Sequence, residues 1–151
     1  MPSPIITPDL VDLGLEAPDR QAATRQLAQL LASGGRVTDL DSFLADVAAR
    51  EQQMPTGIEG GIGIPHARSA YVTEPTLAFA RSTAGVDFGA ADGPAHLIFL
   101  IAAPEGGGSE HMTILAALAR RLVRASFREA LAAAPDAQTV VDVVTKEVLG
   151  Q

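Results

Sequence analysis

Between Thr56 and Arg68 the chain reads Thr-Gly-Ile-Glu-Gly-Gly-Ile-Gly-Ile-Pro-His-Ala-Arg, which sets one histidine behind four glycines and a proline. Gly57, Gly60, Gly61 and Gly63 allow backbone angles that other residues enter only at a cost, and they let another group approach the main chain closely. Pro65 fixes its own φ and biases Ile64 towards extended geometry, so the ring of His66 should leave the chain in a defined direction. A lone histidine in apolar surroundings is usually a hydrogen-bonded structural residue. Here the glycines and the proline surround one titratable ring with no aromatic neighbour to build a core, which fits a reactive group better.

Two further histidines are present. His96 falls at the entrance of an apolar run and reads as structural. His111 follows the loop Glu105-Gly106-Gly107-Gly108 and a capping Ser109, which places it in the first turn of a helix, where backbone amides point outward. His66 and His111, each beside a loop, could share one cleft. Several reaction classes fail against this pair. A nucleotide-type phosphate loop needs a lysine and a hydroxyl after its glycines, and the stretch 105–110 offers acid instead. A metal hydrolase would show closely spaced ligands, such as two histidines one helical turn apart. A serine hydrolase would show a glycine-flanked serine elbow. The absence of cysteine removes thiolate nucleophiles and sulfur-based metal sites. What survives is a histidine that is itself the nucleophile, forming a covalent intermediate.

The elements that must hold these residues follow from periodicity and caps. Ile5-Ile6 and the apolar residues up to Leu13 suggest a short edge strand. Pro18-Asp19 opens a helix in which Ala23, Leu27, Leu30 and Leu31 recur at helical spacing, and Gly34-Gly35 ends it. Thr38, three residues ahead of Asp41, suggests the cap of a second helix with Leu40, Phe43, Leu44 and Val47 inward, running to about Arg50 or Glu51. That helix delivers Arg50 close to the glycine segment, although a cation there also suits the C-terminal dipole. Leu77 and Phe79 alternate with smaller residues as in a half-buried strand. Ala95 to Ala103 is a near-continuous apolar run, as in a central strand covered on both faces. After the loop, Ile114, Leu115, Leu118, Leu122 and Val123 mark a long helix, and shorter helices cover about 127–134 and 136–149. Helix pairs on either side of a strand-rich middle imply a three-layer α/β/α fold with a mixed parallel and antiparallel central sheet.

Length and composition agree with this. At 151 residues and 47% hydrophobic content, the chain suits one domain spanning 1–151. No stretch approaches the roughly 20 apolar residues of a membrane span, and the start lacks a signal-peptide pattern, so direct membrane insertion is not expected and a cytoplasmic location is. A net charge of -7, from 18 acidic and 11 basic side chains, weighs against nucleic acid as a partner. Ordinary solubility accounts for that charge, and a basic partner surface is the alternative.

With Thr56-Gly57-Ile58 through Gly63-Ile64-Pro65-His66, then Gly85-Val86-Asp87-Phe88, Asp92-Gly93 and His96 through Pro104, the sequence closely resembles the enzyme IIA domain of the bacterial sugar phosphotransferase system, fructose and mannitol type. Pro104 to Arg120, with His111 and Leu115-Ala116-Ala117-Leu118-Ala119-Arg120, looks most like the fructose branch. The resemblance implies that His66 accepts a phosphoryl group from the histidine-containing phosphocarrier protein HPr and passes it to a cysteine of a IIB domain, the membrane IIC domain carrying the sugar. It also implies that His111 is the supporting histidine and Arg50 the active-site arginine, with no cofactor and no metal. The family usually has glycine and asparagine where this chain has Glu59 and Gly60.

Two alternatives share parts of this pattern. The nitrogen-related regulatory IIA proteins have the same histidine motif and would use phosphorylation as a signal. The cytoplasmic domains of anion exchangers are similar in fold and bind without a phosphohistidine; Pro65-His66 and His111 speak against them.

Overall fold

The computed structural model describes residues 5–105 and 110–148, and for 110–112 the backbone only. The expected loop at 106–108 and the cap at Ser109 therefore lie outside the described residues. A 3-10 turn, Pro8–Leu10, leads into β1 (Val11–Asp12), so the edge strand forms a few residues later than Ile5-Ile6. The first helix, α1 (Arg20–Ser33), starts at Asp19, whose carboxylate accepts the Ala22 amide at 2.8 Å, and it stops at Gly34-Gly35, with Gly35 at φ 77°. The second, α2 (Leu40–Gln53), is capped by Asp39 rather than Thr38. Asp39 accepts the Ser42 amide at 3.1 Å, whereas the Thr38 hydroxyl donates to the Tyr71 carbonyl. Both residues are good caps by type, and the demand of the 71–73 loop decides between them.

The strands that follow are β2 (Gly57–Ile58), β3 (Ile62–Gly63), β4 (His66–Ser69), β5 (Thr76–Val86) and β6 (Ala95–Pro104). The helices α3 (Glu110–Leu122), α4 (Ala125–Ala133) and α5 (Ala137–Glu147) complete the described chain. In the sheet the order is β1-β5-β6-β3-β2, with β4 also paired to β6. The pairs β1–β5, β3–β6 and β4–β6 are parallel, and β5–β6 and β2–β3 antiparallel, so the sheet is mixed as expected. β3 and β4 lie one after the other along the same side of β6, Ile62-Gly63 opposite Leu97-Ile98 and His66 to Ser69 opposite Ile101 to Pro104. They form one strand line interrupted at Ile64-Pro65, where proline has no N–H to give to the ladder.

Helices cover both faces. Alternate residues of the two long strands point to opposite sides. Ala78, Ala80, Ile98, Leu100 and Ala102 meet Ala23, Leu27, Leu31, Phe43 and Val47 of α1 and α2. Leu77, Phe79, Leu97, Phe99 and Ile101 meet Leu118, Leu122, Phe127, Leu131, Val140 and Val144 of α3, α4 and α5. β5 is therefore buried on both faces over Thr76 to Ala80, not half-buried as its alternation suggested; its small residues make room for α1. Val123 lies past the end of α3 and is 75% exposed, outside the buried stripe. Arg81 joins the layers: its Nη1 donates to the carbonyls of Leu131, Ala132 and Ala134 at the end of α4.

Candidate functional site

His66 opens β4, immediately after the break in the strand line. Its half-buried ring is turned back on the chain, with Nδ1 2.8 Å from the carbonyl oxygen of Ile64. A carbonyl oxygen can only accept, so Nδ1 carries the proton and the lone pair of the neutral ring is on Nε2. Pro65 stands between Ile64 and His66 and has no N–H to give, while the Ile64 amide still reaches the Thr56 carbonyl and the Ile64 carbonyl meets the ring two residues on. Pro65 keeps its own carbonyl in the sheet, accepting the Ile101 amide at 3.0 Å.

The glycines before His66 have divided duties. Gly60 and Gly61 turn the chain between β2 and β3 at φ 100° and 76°, where side chains are strained. Gly60 also donates its N–H to the Asp92 carboxylate at 3.0 Å. The departure at Glu59-Gly60 thus puts glycine at a left-handed position and leaves Glu59 exposed. Gly57 and Gly63 let a group come close, as expected, but the group is Phe88. A Cβ on Gly57 would meet the Phe88 carbonyl oxygen at 2.7 Å, and one on Gly63 would meet the Phe88 ring at 2.7 Å.

A cleft of about 390 Å³ opens over His66, between the last turns of α2 and the ends of β4 and β6. Arg50 lines it, from the last turn of α2, with Nη1 donating to the Met54 carbonyl at 3.3 Å. That bond ties the guanidinium to the helix end and uses one of its five N–H donors. Arg68 also lines the cleft, two residues beyond His66 along β4, and its Nη2 donates to the Glu105 carbonyl at 3.1 Å. Asp46 adds a carboxylate, held by the Ser69 hydroxyl at 2.7 Å. Among the described residues the lining thus places two guanidinium groups in the same cleft as the imidazole, donors that suit an anionic group.

His111 is the second residue of α3, and its side chain lies outside the described residues. Leu115, one helical turn later, lines the cleft. His96 stands apart near the start of β6, with Nδ1 donating to the Ser82 carbonyl at 2.9 Å. Sequence reasoning missed Arg68 and Asp46. Arg68 shares a face with His66 because residues 66–69 are extended, which the glycine and proline run before them does not announce. Asp46 carried no signal, because its link to Ser69 crosses 23 residues. Among the described residues no group of three or more His, Cys, Asp or Glu is placed to hold a metal ion, and no helix is long and apolar enough to cross a membrane.

Fold, cleft and relatives together define a component of a phosphotransferase. Residues 4–147 match the family "Phosphoenolpyruvate-dependent sugar phosphotransferase system, EIIA 2", and the chain belongs to it. A fructose-specific EIIA component of Haloferax volcanii is 43% identical over 145 residues, covering 95% of this chain and 94% of that protein. The nitrogen regulatory protein IIA-Ntr from Neisseria meningitidis superposes with a TM-score of 0.85 at 31% identity, over 93% of this chain and 97% of that one. In a complex from Escherichia coli between enzyme IIAMTL and phosphorylated enzyme IIBMTL, one chain aligns with a TM-score of 0.76 at 25% identity, over 97% of this chain and 98% of its own length.

Proposed function

We propose that this chain is a IIA phosphocarrier of a fructose-type phosphotransferase system, and that His66 is its phosphorylation site. The observation that carries the reading is the Nδ1 hydrogen bond to the Ile64 carbonyl, which puts the ring proton on Nδ1 and the lone pair of the neutral ring on Nε2. Nε2 attacks the phosphoryl group on the phosphohistidine of HPr; the N–P bond to Nε2 forms as the donor's N–P bond breaks. The ring gains positive character in that step, and Ile64 stabilises it through the shared Nδ1 proton. Negative charge on the equatorial oxygens of the loose transition state is met by Arg50 and by His111. The reverse of this geometry discharges the group to a cysteine of a IIB domain. The fructose-specific relative supports the sugar class, and the mannitol IIA–IIB complex supports a IIB acceptor.

The test is incubation with phosphoenolpyruvate, enzyme I and HPr, followed by intact mass under non-acidic conditions. The chain should gain one phosphoryl group, and His66→Ala none. Acceptance should also fall on acidification, since imidazolium has no lone pair to offer. A His66→Ala protein that is still phosphorylated ends the proposal.

The similarity to IIA-Ntr favours a second reading, in which the same phosphohistidine serves as a signal. A gene neighbourhood with a IIB and IIC permease supports transport, and one without supports regulation.

A further inference from the structure

Behind the cleft, a line of hydrogen bonds runs from α1 to the ring of His66. Glu51, next to Arg50 but on the side of α2 turned towards α1, is nearly buried: its side chain is 11% exposed. One carboxylate oxygen accepts the Thr56 amide at 2.8 Å and the Arg20 guanidinium at 3.1 Å, and the other accepts the Thr56 hydroxyl at 2.6 Å. Thr56, 5% exposed, is thereby held by main chain and side chain at once. Its carbonyl oxygen accepts the Ile64 amide at 3.2 Å, and the carbonyl oxygen of Ile64 accepts Nδ1 of His66 at 2.8 Å. Arg20 is itself braced, by Asp87 at 3.7 Å and by the face of Phe88 with its guanidinium carbon 6.0 Å from the ring centre. The same Phe88 closes over Gly57 and Gly63.

We propose that Glu51 and Thr56 are positioning residues for the nucleophile. They fix the backbone of Ile64 and so hold His66 in the tautomer with the proton on Nδ1. The proposal deepens the phosphocarrier reading and rests on it for its kinetic consequence. Neither residue lines the cleft around His66; both act through the main chain of Ile64. Its amide and its carbonyl belong to two rigid peptide planes joined at one Cα, with the second plane stiffened by Pro65, so loosening Thr56 from the Ile64 amide also loosens the Ile64 carbonyl from Nδ1. Glu51 suits the task because an ionised carboxylate accepts several hydrogen bonds, and those to a charged acceptor are short and strong. The amide introduced by Glu51→Gln would offer one accepting oxygen where two are in use.

The test reads the ring directly, in the unphosphorylated protein, by long-range 1H–15N correlation of ring-labelled histidine. Wild type should show His66 as one neutral tautomer with Nδ1 protonated. In Glu51→Gln and in the near-isosteric Thr56→Val, the two ring nitrogens should move towards averaged shifts. Thr56→Ser, which keeps the hydroxyl, should restore the wild-type pattern. Phosphoryl acceptance from phosphorylated HPr should slow by roughly tenfold in the first two variants, the scale of one charged hydrogen bond, and recover in the third. If Glu51→Gln does not fold, Thr56→Val and Thr56→Ser decide alone. Wild-type shifts in the variants, or slow acceptance with unchanged shifts, would overturn the assignment. Should wild type take up no phosphate at all, the phosphocarrier reading fails, while the nitrogen shifts still judge the positioning role.

Discussion

Arg50 does two things with one side chain: it binds a carbonyl at the end of its own helix and faces the cleft over His66. Its bond to Met54 is what any arginine at a helix C-terminus would make, so position in the cleft, not the bond, argues for a role in transfer. Removing a donor that meets transition-state charge costs on the order of a hundredfold in rate, while removing the nucleophile abolishes transfer. Arg50→Ala and His111→Ala should therefore remain folded and accept phosphate about a hundredfold more slowly, with the label still on His66. Single-turnover acceptance followed by peptide mapping checks both. Wild-type rates would leave Arg50 a helix-end cation and His111 a residue of its helix. At this scale His66 was legible, since glycine and proline mark it locally. Arg68 and Asp46 were not, because their relation to the ring depends on β4 being extended and on α2 lying across it.

At the scale of elements, α2 matters most to the site, because it carries Asp46, Arg50 and Glu51 together. Its start is set by Asp39, whose carboxylate holds the Ser42 amide. Loss of such a cap typically costs about 1 kcal/mol, which in a chain of this size lowers Tm by roughly 2–4 °C. Asp39→Ala should show that loss in a thermal melt, and Thr38→Ala should show much less, its hydroxyl reaching only an exposed carbonyl at 3.3 Å. Equal effects would return the cap to Thr38. The broken strand line β3–β4 is the other decisive element. Pro65 was legible as a stiffener of the approach, but not as the point where a parallel ladder is interrupted and resumed.

Taken whole, the molecule is acidic, at -7, while Arg50 and Arg68 line the cleft over His66. An acidic surface meeting a phosphocarrier would steer the encounter by charge, and screening cuts the reach of that attraction to about 8 Å at physiological ionic strength. The initial rate of acceptance should fall as salt is raised at fixed pH. A rate unchanged from low to high salt would make the charge a matter of solubility alone. By itself the sequence determined what local rules can carry. Asp19 and the glycine pair at 34–35 bound α1, the run from Ala95 to Ala103 had to be a strand covered on both faces, and one histidine was singled out by the glycines and proline around it. Only the tertiary structure decided that Gly57 and Gly63 serve the approach of Phe88, that Arg68 and Asp46 stand beside His66, and that Glu51 reaches His66 through Thr56 and Ile64. The reason is separation along the chain. Caps and periodicity act within a few residues, whereas a parallel ladder such as β4 on β6 pairs residues 35 apart, His66 with Ile101, and no local preference encodes which side chains such a pairing brings together.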